Sequence, residues 1–253
     1  MCLILLAHDA HPDYRLVVAA NRDEFYGRPA APAAWWPDAP EVLAGRDLRE
    51  GGTWLGITRG GRFAAVTNFR DAAPPRPGAP SRGWLVGDFL RGPASPDEYL
   101  ATLAGRAGEY NGFGLLAGDA GSLHYLSNRG AGPAELAPGV YGLSNHLLDT
   151  PWPKVERGKA GLREVLAGPA GEVEARLLEL LADRAEADGA LLPDTGVGVE
   201  RERALSALFI ATPRYGTRAS TVLTVGRDGR VRMVERTVGP GREPTEVRHE
   251  FSL

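Results

Sequence analysis

Met1-Cys2-Leu3-Ile4-Leu5-Leu6-Ala7 opens the chain, and after a polar loop comes Arg15-Leu16-Val17-Val18-Ala19-Ala20-Asn21-Arg22-Asp23-Glu24. The loop between them, His8 to Tyr14, carries Pro12 and Asp13, so the two apolar runs read as a β-hairpin. Strand side chains alternate, which puts Asn21 and Asp23 on one face and Arg22 and Glu24 on the other; one of those faces looks at Cys2 on the partner strand. Cys2 is the only cysteine in the sequence and stands directly behind the initiator methionine. Removing that one residue leaves a thiol next to a free amine, which together make a nucleophile and a base. The thiol is intrinsically nucleophilic. An α-amino group titrates at about 7.7–8.0, so part of it is free base near neutrality and takes the thiol proton directly or through one water. The plainer alternative is that Cys2 is simply an apolar residue of the first strand, where free cysteine is commonly buried.

Working outward, the same signals recur. Trp54 to Thr58 and Arg62 to Thr67 flank Gly60-Gly61, a second hairpin. Gly83 to Arg91 shows an apolar helical face of Leu85, Phe89 and Leu90, and Ser95-Pro96-Asp97-Glu98 has the spacing of a capping box ahead of Tyr99, Leu100 and Leu103. Strands return at Phe113 to Ala117, Leu123 to Ser127 and Val140 to Ser144. Two helices follow, one from Pro153 with Val155, Leu162, Val165 and Leu166, the other with Val173, Leu177, Leu178 and Leu181. Gly189 to Val199 reads as a loop. Thr221 to Val225 and Arg230 to Glu235 form a hairpin around Asp228-Gly229, and Val247 to Phe251 adds an edge strand. Hairpins gathered apart from helices argue for an α+β layered arrangement of antiparallel sheets with helices on their outer faces.

Composition narrows the function. A chain of 253 residues with 43% hydrophobic content can bury one large core, so residues 1–253 are expected to form one domain. The formal net charge of -3 gives no global pull toward nucleic acid or acidic membranes. No apolar run approaches the roughly 20 residues of a membrane span. A lone cysteine forms no internal disulfide and suits a reducing cytosol, so a cytoplasmic location is expected. There is no Walker loop, and Gly196-Val197-Gly198 lacks the third glycine of a dinucleotide fingerprint because Arg201 stands there. The histidines His8, His11, His124, His146 and His249 make no metal-ligand pattern, so neither metal nor cofactor is expected.

Four polar clusters sit at strand ends: Asn21 to Glu24, Thr67-Asn68-Phe69-Arg70, Ser144-Asn145-His146, and Tyr215 to Ser220. Such residues also cap strands and form turns for local reasons alone. Together with Met1-Cys2, Ala20 to Phe25, Gly51-Gly52-Thr53-Trp54-Leu55-Gly56 and Gly142 to Asn145, they resemble the NRDE family, also called the transport and Golgi organisation family. The matches run in order along nearly the whole chain. That family is similar to the N-terminal nucleophile hydrolases, especially the bile-salt hydrolase and penicillin V acylase branch. The resemblance implies a four-layer αββα sandwich of two antiparallel sheets between helical layers.

The resemblance also implies roles. Cys2 supplies the attacking thiol and Asp23 hydrogen-bonds its amine. Asn145, with Asn68 as second donor, stabilises the oxyanion, where one donor is worth about 3–4 kcal/mol. Arg218 lies near the thiol and favours the thiolate. Asn21, Arg22, Trp54, Phe69, Arg70, His146 and Ser220 are the expected substrate-binding residues, with Trp54 as a pocket wall behind the glycines. The hydrolase branch keeps an arginine three residues before its aspartate, where this chain has Ala20; Arg22 is adjacent to Asp23 and by alternation points elsewhere. The reaction expected is cleavage or transfer at an amide or thioester through an acyl-Cys2 intermediate, on a small-molecule substrate. The alternative is a non-catalytic carrier of haem or an acyl-coenzyme-A-like ligand on the same scaffold.

Overall fold

The apolar opening segment forms a strand covered on both faces, which explains why it reads as a continuous rather than an alternating run. The computed structural model describes residues 2–70 and 74–253; Met1, and Asp71 to Ala73 at the start of the loop leading to Arg82, lie outside them. β1 (Cys2–His8) pairs antiparallel with β2 (Tyr14–Phe25) on one side and with β10 (Gly139–Leu143) on the other. The sheet continues through β11 (Tyr215–Gly226), β12 (Arg230–Thr237) and β13 (Thr245–Ser252), in the order β10-β1-β2-β11-β12-β13.

A second antiparallel sheet runs in chain order through β3 (Ala30–Trp36), β4 (Ala39–Asp47), β5 (Leu55–Thr58), β6 (Phe63–Asn68), β7 (Phe113–Gly118), β8 (Leu123–Ser127) and β9 (Ala134–Glu135). Between the sheets lies one apolar layer, in which Ile4, Leu6 and Val18 meet Leu43, Ile57 and Leu116. The opposite face of the first sheet, with Leu3, Leu5 and Val17, packs on α3 (Pro153–Leu166) and α4 (Val173–Leu181). The outer face of the second sheet packs on α1 (Gly83–Arg91) and α2 (Pro96–Ala104) through Val42, Val66, Leu85, Phe89 and Leu100. The result is the expected αββα sandwich.

The hairpins read around the 8–14, 60–61 and 228–229 turns all form, and Glu98 returns its carboxylate to the Ser95 N–H at 3.1 Å as the capping box requires. The β3–β4 hairpin, the two-residue β9 and a short fifth helix depart from the sequence reading. The β3–β4 hairpin is invisible to propensity because Ala30-Ala31-Pro32-Ala33-Ala34 is alanine-rich and holds a proline; it is tolerated because β3 is an edge strand, irregular between Ala31 and Ala34. Ala33 N–H, outside the ladder, is taken up by the buried Glu235 carboxylate of β12 at 2.8 Å, a bond from one sheet to the other. The stretch read as loop from Gly189 to Val199 ends in a short helix, α5 (Val199–Ala204).

Candidate active site

Register places the site. Cys2 is the Cα partner of Arg22, so both side chains leave the first sheet on the face turned toward the second. There they line a cleft of about 260 Å³ with Asn68 at the end of β6, Trp54 ahead of β5 and Arg82 just before α1. Gly52 makes this wall possible. A β-carbon on it would lie 2.5 Å from the Gly83 carbonyl carbon, so only glycine lets the start of α1 approach the 51–54 segment so closely.

Arg22 stacks on Trp54, its guanidinium carbon 4.3 Å from the ring centroid, and pairs with Asp47 at 3.0 Å. Arg28 meets the same carboxylate at 2.5 Å. Burial works against this carboxylate's charge, but Arg28 and the backbone N–H groups of Glu50 and Arg49 hold its pKa below the usual range. Arg82 donates to the Gly112 carbonyl at 2.9 Å and feels the charges of Cys2 and Glu24. The Cys2 thiol is half-buried; burial pushes its pKa up, Asp23 adds to the rise, and Arg22 opposes it.

Asp23 faces the opposite way along β2 and is fully buried. The Thr217 hydroxyl donates to it at 2.7 Å, and Tyr215 donates to its backbone carbonyl at 3.0 Å. Burial raises the carboxyl's pKa, against the pull of Lys154, Thr217 and Arg70.

With this geometry in hand, the chain can be set against known proteins. The sequence profile of Transport and Golgi organisation 2 matches residues 1–240. The chain belongs to the Transport and Golgi organisation 2 family. The homolog from Bos taurus is 41% identical over 280 residues, covering 100% of this chain and 99% of that protein. The Homo sapiens homolog is 38% identical over 258 residues, covering 94% and 93%. Among solved structures, the Caenorhabditis elegans ortholog of N-acylethanolamine-hydrolyzing acid amidase superposes with a TM-score of 0.50 at 13% sequence identity, covering 88% of this chain and 92% of that one. At that identity the likeness concerns the fold alone.

In this Transport and Golgi organisation 2 member the residues singled out from sequence divide into three groups. Cys2, Arg22, Trp54 and Asn68 come together around the cleft, which Asp23 also borders although its carboxyl lies on the opposite face of β2. Arg22 is turned from Asp23 as alternation requires, but that direction is into the Cys2 cleft rather than away from it.

Asn145 and Arg70, both buried, form an adjoining patch with the half-buried Phe69 and His146. Asn145 spends an amide donor on the Asn68 carbonyl at 3.0 Å, and the Arg70 N–H donates to the Asn145 carbonyl at 2.7 Å. His146 lies against Phe69, ring centroids 4.7 Å apart, and bonds Thr150 through Nδ1 at 2.8 Å. None of these four is among the residues lining the cleft.

Asn21, Ser220 and Arg218 do not line the cleft and are tied to neighbouring strands and loops. Asn21 shares the Asp23 face; its amide donates to the Leu181 and Leu208 carbonyls, both at 2.8 Å, while its oxygen accepts from Ser220 at 2.7 Å. Arg218 holds the Phe25 and Arg28 carbonyls at 3.0 and 2.9 Å and lines a separate depression with Tyr26 and Arg242. The arginines at the thiol cleft are Arg22, Arg28 and Arg82 instead.

Sequence reading passed over Lys154 and Glu202. Lys154 left a trace: it lies on the buried stripe of α3 with Gly158, Leu162 and Val165, a lysine where an apolar residue belongs. Glu202 sits in α5, a short helix that the sequence reading did not contain, and had no such signal. Among the described residues no helix is long and apolar enough to cross a membrane.

Proposed function

We propose that this chain is an N-terminal-cysteine amidase or acyltransferase with Cys2 as its nucleophile. The observation that carries the reading is the convergence, in one cleft, of the sole thiol with the three arginines Arg22, Arg28 and Arg82 and with Asn68. After excision of Met1, the free amine of Cys2 accepts the thiol proton. Sulfur then attacks the carbonyl carbon, and the resulting oxyanion sits among Asn68 and the arginine donors, the kind of fixed polar environment that lowers such barriers most. The carbon–nitrogen or carbon–sulfur bond breaks, and the leaving group takes the proton from the ammonium. Water, or an acceptor amine, attacks the acyl-Cys2 carbonyl and returns the free thiol. The substrate is a small-molecule acyl amide or thioester, and the single cysteine fits a protein that works in a reducing compartment.

Intact-mass measurement before and after incubation with a panel of acyl amides and thioesters tests this. Loss of the methionine mass followed by gain of an acyl increment supports it; a retained Met1 removes the amine base and ends the reading. The carrier alternative draws on the burial that raises the thiol's pKa. It expects ligand to co-purify without turnover, with visible absorbance if that ligand is haem.

A further inference from the structure

Behind the cleft, on the face of β2 that carries Asp23, lies a set of buried charges that the acyl-transfer steps above leave unused. Lys154 enters it from the first turn of α3. It is 1% exposed, and its Nζ has no hydrogen-bond partner among the described residues. The groups whose charges reach it are Asp23, Arg70, Cys2 and Glu202. Arg70, following β6, pairs with Glu202 of α5 at 2.5 Å and stacks on Trp152. Tyr215 of β11 faces the same set, and Arg22 and Arg82 act on Cys2 from the cleft side.

A buried ammonium without an acceptor is costly, and a methionine or leucine fills the same volume without that cost. The packing of α3 therefore does not account for a lysine here. Its surroundings do: the Cys2 sulfur, which must be anionic to attack, and the Asp23 carboxyl beside it lie within its electrostatic reach in a site whose burial favours their neutral forms.

We propose that Lys154 is a positioning residue for the nucleophile, its ammonium holding the Asp23 carboxylate and the Cys2 thiolate in their charged forms. This rests on the reading of Cys2 as nucleophile. Burial brings the lysine's own pKa down to about 8, against the pull of Asp23, so most molecules keep the charge at pH 7.

Because Cys2 is the only cysteine, alkylation by iodoacetamide followed by intact mass reads this thiol alone. Its rate against pH gives the midpoint of thiol ionisation in the full chain. Lys154→Met should move that midpoint up by about one pH unit or more, the scale expected for loss of a neighbouring opposite charge, while Lys154→Arg should leave it near the wild-type position. Far-UV circular dichroism and thermal unfolding establish that each variant is folded, and Lys154→Gln takes the place of the methionine variant if that one is not. An unmoved midpoint in a folded charge-removing variant overturns the proposal. So does a midpoint that falls, as a thiol released from burial would give. Alkylation needs neither substrate nor turnover, so a failed acyl panel and a failed Lys154 test are separate results.

Discussion

The ring of Trp54 lies on the bare backbone of Gly45: a β-carbon there would come within 2.3 Å of Cη2 and 2.6 Å of Cζ2. The same ring carries the Arg22 guanidinium, so one glycine in β4 supports a cleft wall and the cation resting on it. Gly45→Ala should displace the indole and lower stability by about 1–3 kcal/mol in urea unfolding. Adding Trp54→Phe, which removes the clashing atoms, should recover part of that loss. No recovery would show that the clash is not the cause.

Glu235 predicts a pH dependence. Burial raises its carboxyl from 4.5 to about 7, although Ala33 N–H and Thr221 oppose the shift. The unfolded chain ionises near the ordinary value while the folded one holds its proton, so this group's contribution is full below pH 4.5 and is lost as pH rises to about 7. Glu235→Gln never ionises. The variant should gain on the wild type across that window, by up to roughly 3 kcal/mol, as read by urea unfolding at several pH values.

Arg70 and Glu202 form a buried pair, both less than a tenth exposed. Glu202→Gln leaves the Arg70 charge uncompensated and should cost about 3–5 kcal/mol. Replacing both partners, as Arg70→Met with Glu202→Leu, should cost much less than the sum of the single changes; additivity in the unfolding cycle would contradict the coupling.

Asn21→Ala removes two donors to the Leu181 and Leu208 carbonyls and strands the Ser220 hydroxyl. Each stranded group costs about 1–3 kcal/mol, so the melting transition should drop sharply. The pH profile of Cys2 alkylation should keep its midpoint in the folded population, because Asn21 is turned away from the cleft.

Cys2→Ser separates catalysis from carriage. A hydrolase or transferase should lose nearly all turnover and all acyl increment in the mass spectrum, whereas a carrier should retain most of its affinity for the same ligand in equilibrium titration.

Much of this fold is legible because its signals are local. The β1–β2 hairpin, α1 and the Ser95 capping box each declare themselves in one continuous stretch of chain. The β3–β4 hairpin does not, since its register comes from an edge position and a carboxylate some two hundred residues away, Glu235. The site divides in the same way. Alternation along β2 separates Asp23 from Arg22, and the pairing with β1 puts Arg22 opposite Cys2. What alternation cannot supply is the arrival of side chains from other layers: Arg82 from before α1, Lys154 from α3 and Glu202 from α5. Asn21 and Ser220 lie outside the cleft, a placement their sequence does not reveal, because a polar residue at a strand end looks the same whether it awaits a ligand or fastens a distant carbonyl.

β1 is an interior strand, held by β10 and β2, and Cys2 is its first residue; β13, at the far edge of the same sheet, carries the other end of the chain. Reporters, affinity handles and surface attachments are therefore not interchangeable between the two termini. On the reading of Cys2 as nucleophile, a fusion placed ahead of it caps the amine that reading requires, whereas one placed after Leu253 hangs from the opposite margin of the sheet and leaves that amine free.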